Sequence, residues 1–368
     1  MTAAVANPEL RRARRLYLRG SRWHCAGHYR NAAADYAASS IMLQRVQDGR
    51  SPELAEVMAA HAEATHELGD QRGALALARQ AYAIVERRRG HDARRARCRI
   101  LGTLGNIHRA NGDYRLAAPL LRRALAVARQ IGRETRTAAV AMNNLGILYK
   151  YTGDFARAEA LYRESLRITA RECGSDHADV AGLYHNLGGL EYTRGRYREA
   201  ERWGRAALEL RTKLLGARSV LVAADAAALA ASLDGLGRHA EAQRLYGRVL
   251  AIFRQRYGAR HYEVAVNLNN LGASLYAEGK LAAAARSYRE AFEIKKAVLG
   301  DDHIDVALTA NNMGALYLKQ NRRHLALRYL ERAKATLVRK LGARHPKARA
   351  VIANWRAVLA APQARRSR

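Results

Sequence analysis

The stretch NNLGILYKYTGDFARAEALY at residues 143–162 decides the fold of this chain. Together with Met142, which directly precedes the stretch, Leu145, Gly146 and Tyr149 follow the i, i+3, i+4, i+7 spacing that places side chains on one face of a helix. Gly153 can adopt the left-handed conformation that ends a helix at little cost. The residues after Gly153 have helical spacing again. The stretch therefore predicts two helices joined by a tight turn.

The tight-turn signature recurs along the chain at spacings of 41 to 43 residues. It lies at Gly27, Gly69, Gly112, Gly153, Gly195, Gly237, Gly279 and Asn321. Five residues after each mark stands an alanine, at Ala32, Ala74, Ala117, Ala158, Ala200, Ala242, Ala284 and Ala326. Seven residues further the side chain is small in every copy, at Ser39, Ala81, Ala124, Ser165, Ala207, Val249, Ala291 and Ala333. These columns predict eight helix pairs that stack, because one pair cannot bury its apolar faces alone.

A second turn lies between successive pairs and carries a histidine at His177, His261, His303 and His345, with Ser219 in one copy. Acidic residues follow at Asp179, Glu263 and Asp305, where the helix dipole favours anions. The histidines are one repeat apart, whereas zinc needs clustered ligands. We therefore predict a structural turn and no metal site.

Composition favours helix over sheet, with 49% apolar residues, 7% aromatic residues and only 5 prolines in 368 residues. The formal charge is +31, but only nine of the 64 basic residues are lysines. A GC-rich coding background, which favours arginine and alanine, also explains such a total. The charge is concentrated in 87–136 and 322–368. These regions indicate either an anionic partner, such as nucleic acid or an acidic protein, or a solvated surface.

Three separate cysteines, Cys25, Cys98 and Cys173, predict neither a disulfide framework nor a zinc site. We find no signal peptide and no apolar run long enough for a membrane span, so we expect a cytoplasmic protein. No phosphate-binding glycine loop or hydrolase motif is present. We therefore expect no cofactor, no catalytic residues and no enzyme.

The segments at 143–149 and 153–162 resemble tetratricopeptide repeats (TPRs), and the 42-residue period with its Asn-Asn-Leu-Gly start resembles the kinesin light chain subtype. The resemblance implies an all-α, right-handed superhelical solenoid of about eight antiparallel helix pairs. It also implies a concave groove, lined by the first helix of each pair, that accepts peptides or helices. We predict one solenoid over residues 1–362, a capping helix at 346–360 and a basic tail at 363–368. Pro346 suits the first turn of the cap, and Ile352, Trp355 and Leu359 are expected to pack on the eighth repeat.

Asparagine pairs recur on the face of the first helices that points away from the packing stripe. Asparagine is a poor residue within a helix, so its repetition indicates either binding of a peptide backbone or bonding between repeats. The resemblance favours binding by the second residue of each pair. The candidate residues of this group are Asn143, Asn144, His185, Asn186, Asn269, Asn270, Asn311 and Asn312.

The same alignment places Lys150 and Tyr151 of the fourth repeat, and Arg99, Asn106 and Arg109 of the third, on the groove face. In the sixth repeat, alanines within 222–233 replace both asparagines, which leaves either a docking patch or neutral drift. The sequence thus predicts a scaffold that binds a peptide or partner helix. The alternatives are polyanion binding through the basic regions and a subunit that recruits or regulates an enzyme.

Overall fold

The computed structural model describes residues 7–47 and 49–360, which form seventeen α-helices and no β-strand. The all-α class is therefore confirmed. The helices are α1 (Pro8–Cys25), α2 (Tyr29–Val46), α3 (Pro52–Glu67), α4 (Gln71–Val85), α5 (His91–Ala110), α6 (Tyr114–Ile131), α7 (Arg136–Thr152), α8 (Phe155–Cys173), α9 (Ala178–Thr193), α10 (Tyr197–Leu215), α11 (Val220–Gly235), α12 (His239–Tyr257), α13 (Tyr262–Ala277), α14 (Leu281–Leu299), α15 (Ile304–Lys319), α16 (Arg323–Leu341) and α17 (Pro346–Ala360).

Within each of the two units described below, consecutive helices pack in pairs, with an odd-numbered first helix against an even-numbered second helix. Residue contacts divide the chain into two compact units. The N-terminal unit holds α1–α9 and Glu209–Leu214 of α10, and the C-terminal unit holds Gly195–Leu208 and the described residues from Leu215 onwards. Within the N-terminal unit α1, α3, α5, α7 and α9 follow one another in contact, and within the C-terminal unit α11, α13, α15 and α17 do so. The single solenoid over 1–362 stays a prediction.

The tight turns are formed as predicted. Every glycine of the turn signature has a positive φ, as at Gly153 (85°). Asn321 replaces glycine in the last copy and has a φ of 58°, the one positive value for a non-glycine residue in the described part. Asparagine tolerates this left-handed conformation better than most residues do. The eighth turn therefore keeps the same backbone with a different side chain.

The alanine column lies in the core, since all eight alanines are 0–1% exposed. The first helix comes close to the second where it carries a glycine. A Cβ built on Gly146 would lie 2.8 Å from the ring of Tyr162, and one built on Gly314 would lie 2.5 Å from Leu330. Both distances are too short for a real contact. The helix glycines therefore make room for large side chains of the paired helix.

The recurring histidines begin the first helices. Nδ1 of His177, His261 and His303 accepts a hydrogen bond from the backbone amide two residues later, at 3.1, 3.2 and 3.1 Å. Ser219 caps α11 in the same way through Oγ, at 3.3 Å from the amide of Leu221. These bonds satisfy amides that a helix start leaves unpaired. The structural role predicted for the histidine turn is confirmed.

The predicted cap is α17, but its packing stripe differs from the prediction. Ala348, Val351 and Val358 are buried against α15 and α16, and Trp355 packs partly against them. Leu359 is 46% exposed, so its predicted packing is wrong. Val358, one residue earlier, points inward in its place. The predicted basic tail at 363–368 lies outside the described residues.

All three cysteines have free thiols, with Cys98 buried and Cys25 exposed. Across residues 7–47 and 49–360, no helix combines the length and the apolar character that crossing a bilayer requires.

Candidate functional site

The first helices of the N-terminal unit line a pocket of about 550 Å³. Its walls come from α3, α5 and α7, with one residue from α6. The predicted site residues Arg99, Asn106 and Asn144 all lie on it. The pocket also contains Glu63 and Thr103, which the sequence analysis did not single out. We call this surface the first-helix pocket.

One wall of the first-helix pocket is a hydrogen-bonded charge network. The Arg99 guanidinium donates to Glu63 Oε2 (3.2 Å) and to the Tyr17 hydroxyl (2.7 Å). The Thr103 hydroxyl donates to the second oxygen of Glu63 (2.7 Å). Burial alone would raise the pKa of Glu63, but the Arg99 charge and these hydrogen bonds hold it below its ordinary value. Arg99 is therefore compensated within the protein and forms a fixed wall.

The same pocket also offers amide groups without protein partners. The side-chain oxygen of Asn106 is shielded from solvent and accepts no hydrogen bond. Asn144 makes no side-chain hydrogen bond within the described residues, and its Nδ2 lies 3.3 Å from where a Cβ on Gly102 would be. A buried polar group without a partner costs free energy, which a ligand can recover by bonding it. Asn106 and Asn144 thus leave hydrogen-bonding capacity unused on the surface of the pocket.

The other asparagines mostly bond one another. In each case the first asparagine of one repeat accepts a hydrogen bond from the second-position asparagine of the next helix. The three bonds run from Asn186 to Asn143 (2.8 Å), from Asn312 to Asn269 (3.1 Å) and from Asn354 to Asn311 (2.8 Å). We call this set the asparagine ladder. For those side chains, the ladder corresponds to the predicted alternative of bonding between repeats. Each of these asparagines keeps further donor or acceptor capacity.

Two predicted residues lie beside the asparagine ladder. Asn270 makes no side-chain hydrogen bond within the described residues, because its partner position in the preceding repeat is Ala227. His185 is partly buried next to Asn186 on α9. The sixth repeat presents Ala224, Ala227, Ala228 and Ala231 as partly exposed side chains on α11, so the predicted alanine surface does lie on the first-helix side of the C-terminal unit.

The predicted residues Arg109, Lys150 and Tyr151 form a second cluster, at the C-terminal turns of α5 and α7. The Arg109 Cζ lies 5.5 Å from the centre of the Tyr151 ring, and the Lys150 Nζ lies 5.4 Å from it. The Tyr114 ring stacks on the same tyrosine at 6.3 Å. Tyr151 is 55% exposed, so the cluster is open on one side. It follows the first-helix pocket along α5, since Arg109 is three residues after Asn106.

Sequence reasoning missed three partners. Glu63 and Thr103 occupy groove positions of the repeat alignment, but single polar residues there carry no signal of the pairing with Arg99. Asn354 could have been found, because it lies 42 residues after Asn312, one further period along. It extends the asparagine ladder into the cap.

Comparison with protein-family models identifies the family to which these helical repeats belong. The tetratricopeptide repeat model matches residues 96–171, 138–213, 179–255, 222–297 and 263–337, an unbroken span of most of the chain. The chain belongs to the tetratricopeptide repeat family. The resemblance stated from the sequence is therefore confirmed. No curated protein matches the chain.

Solved structures share the TPR fold. BtubC (BKLC) from P. vanneervenii is 26% identical, with a TM-score of 0.52 over 61% of this chain and 91% of its own. A Rap protein complexed with competence and sporulation factor is 12% identical, with a TM-score of 0.62 over 95% and 98%. A putative kinesin light chain of Podosopora anserina is 20% identical, with a TM-score of 0.47 over 55% and 95%.

Proposed function

We propose that this TPR protein is an interaction scaffold that binds an extended peptide segment or a helix of a partner protein in the first-helix pocket. One observation carries the proposal. The pocket combines a fixed, charge-compensated wall at Arg99 with unbonded amides at Asn106 and Asn144. An amide offers both a donor and an acceptor, which can bond a peptide backbone without discriminating side chains.

The size of the pocket suits this ligand. A volume of about 550 Å³ holds a few residues of a peptide and falls within the range of ordinary ligand sites. The partly exposed Val140 of α7 supplies an apolar contact on its rim. The Rap structure shows that a TPR protein of this general fold was crystallised with another molecule. That similarity supports the fold as a scaffold.

The proposal is tested with a displayed library of random peptides selected on the full-length protein. Binding of the selected peptides is then compared for the wild type, for the Asn106→Ala/Asn144→Ala double variant and for Asn31→Ala. Asn31 is exposed on the second helix α2 and serves as the matched control. We expect the double variant to lose at least about tenfold in affinity, as for loss of one or two hydrogen bonds. Equal affinity in a folded double variant would contradict the proposal.

For the alternative of polyanion binding through 87–136 and 322–368, some of these cations are already paired with carboxylates. Arg95, Arg99 and Arg136 form ion pairs with Glu56, Glu63 and Asp179. Arg332, Arg339 and Lys340 pair with Asp301 or Asp302. Binding of nucleic acid would fall steeply with salt, which separates it from peptide binding. A role as a recruiting subunit of an enzyme would use the same peptide-binding surface.

A further inference from the structure

Two cations in the N-terminal unit are clustered without a counter-ion. Arg109 and Lys150 both lie within 5.5 Å of the Tyr151 ring centre, at the exit of the first-helix pocket. Within the described residues, neither makes an ion pair or a side-chain hydrogen bond. The Arg109 Nε is shielded from solvent and has no hydrogen-bond partner. We call Asn106, Arg109, Lys150 and Tyr151 the cationic niche.

The missing counter-ion contrasts with the rest of this surface. Four other arginines occupy groove positions on the first helices of the N-terminal unit, and each reaches a carboxylate. The pairs are Arg14–Glu53, Arg95–Glu56, Arg99–Glu63 and Arg136–Asp179. Of these, Arg14, Arg95 and Arg136 are more than half exposed, where an ion pair contributes little. The cationic niche is more enclosed than these positions, and its two cations have no counter-ion within the described residues. An unpaired charge costs most free energy in such an enclosed place.

The enclosure of Lys150 lowers the pKa of its side chain. Burial lowers the pKa of its ammonium group, and the charge of Arg109 lowers it further. The helix dipole gives a different reason for cations at these C-terminal turns. That effect operates equally well at exposed positions and does not require the ammonium group to be buried. The dipole therefore leaves the burial of Lys150 unexplained.

The surroundings of the cationic niche suit a small anion. The buried Tyr162 hydroxyl has no hydrogen-bond partner and can donate to an anion, whereas the shielded Asn106 oxygen can accept only from a peptide N–H. The Tyr162 ring lies against Gly146, one helical turn before Lys150 on α7. Burial raises the pKa of its hydroxyl, and the charge of Arg109 lowers it. Lys150 Nζ lies 3.3 Å from where a Cβ on Gly189 would be, so α9 presents no side chain there.

We propose that the cationic niche binds the carboxylate side chain of an aspartate or glutamate in the bound peptide. This inference rests on the proposed function, because the peptide backbone is held in the adjoining first-helix pocket. The ammonium group of Lys150 and the guanidinium of Arg109 would both donate to the carboxylate, in charge-assisted bonds that are stronger than neutral ones. The niche then makes the scaffold selective for an acidic residue at one fixed position of its partner.

The test uses the strongest peptide from the displayed random library, synthesised with an amidated C-terminus. It is compared with the same peptide carrying Gln for its acidic residue, against the wild type, Lys150→Met and Lys213→Met. Lys213 is 65% exposed on α10 and controls for the loss of one charge. We expect an acidic residue at a constant position, and at least about tenfold weaker binding from either single change. Together the two changes should cost little more than one alone, because both remove the same contact.

Four results would overturn the inference. They are selected peptides without a fixed acidic residue, losses that add independently, equal effects of Lys150→Met and Lys213→Met, and dependence on a free C-terminal carboxylate. In each of these, binding to the first-helix pocket survives, so only the niche is wrong. If the wild type selects no peptide at all, the proposed function and this inference both fail.

Discussion

The side-chain amide of Asn186 donates a hydrogen bond to the side-chain oxygen of Asn143, 2.8 Å away, and joins the first helices of the fourth and fifth repeats. The two residues are 43 positions apart, one more than the usual period, so the bond runs diagonally between the two asparagine positions. The same diagonal recurs between Asn269 and Asn312. Adjacent asparagines therefore have different roles. One bonds the asparagine of the next repeat, and the other makes no side-chain hydrogen bond where the preceding repeat lacks a partner.

This division predicts unequal effects of substituting the two neighbours. Asn143→Ala leaves the amide of Asn186 without its acceptor and should lower the free energy of unfolding by about 1 kcal/mol. Asn144→Ala removes no hydrogen bond and should stay within about 0.5 kcal/mol of the wild type. Urea unfolding followed by circular dichroism measures both. Equal losses in the two variants would refute the division of roles.

Close packing within a pair predicts opposite signs for two Gly→Ala changes. At Gly146 the added Cβ would lie 2.8 Å from the Tyr162 ring, so Gly146→Ala should destabilise the protein by about 1–3 kcal/mol. At Gly247, within α12, nothing lies within 4 Å of the added Cβ. Gly247→Ala should therefore be neutral or stabilising by up to about 1 kcal/mol, because alanine favours helix. Thermal unfolding of both variants checks the prediction, which does not survive if Gly146→Ala is neutral.

The cost of the buried ammonium group predicts that Lys150→Met stabilises the free protein. The pKa of Lys150 is lowered, which means that the folded state disfavours its charged form at neutral pH. Replacing the charge with an apolar side chain of similar length should raise the free energy of unfolding, by about 1 kcal/mol. If Lys150 served only to compensate the helix dipole, the same change would lower stability instead. Lys213→Met, at an exposed lysine, should be close to neutral.

The His261 cap predicts loss of stability in mild acid. Burial lowers the pKa of His261 below its ordinary 6.5, and its Nδ1 must be unprotonated to accept from the amide of Glu263. The unfolded chain thus binds the proton more readily, so this contribution is present above pH 6.5 and is lost as the pH falls below it.

His261→Ser tests this pH dependence, because serine already caps α11 at Ser219. Unfolding free energies of the wild type and the variant are compared at about pH 7.5 and about pH 5. We expect His261→Ser to lose less stability between the two values than the wild type does. An identical loss would show that His261 does not contribute to the pH dependence.

Much of the fold could be predicted from the sequence, because its determinants are local. A glycine at each tight turn, a small residue in each helix and a polar cap before each first helix recur with the period of the repeat. Asn321 and Ser219 show how strongly the period constrains these places, since each replaces the usual residue and keeps its role. Leu359 was mispredicted because a helical stripe is ambiguous by one residue at the end of a chain's last helix.

The candidate site was only partly predictable. Periodicity identified which residues lie on the first-helix side, but hydrogen-bond partners depend on which side chain the neighbouring repeat carries at the diagonal position. Asn144 faces Gly102 and stays open, whereas Asn186 faces Asn143 and is bonded. The pairing of Arg99 with Glu63 likewise depends on the position reached in the preceding repeat. These differences between copies cannot be derived from the features that the copies share.

The most direct test of the central claim is to locate a bound peptide by photo-crosslinking. A library-selected peptide carrying a photoreactive residue is irradiated with the full-length protein, and the linked residues are identified by mass spectrometry. If the first-helix pocket binds the peptide, crosslinks fall on α5 and α7 around Asn106 and Asn144, and excess unlabelled peptide removes them. Competed crosslinks that fall instead on second helices such as α6 or α8 would contradict the account.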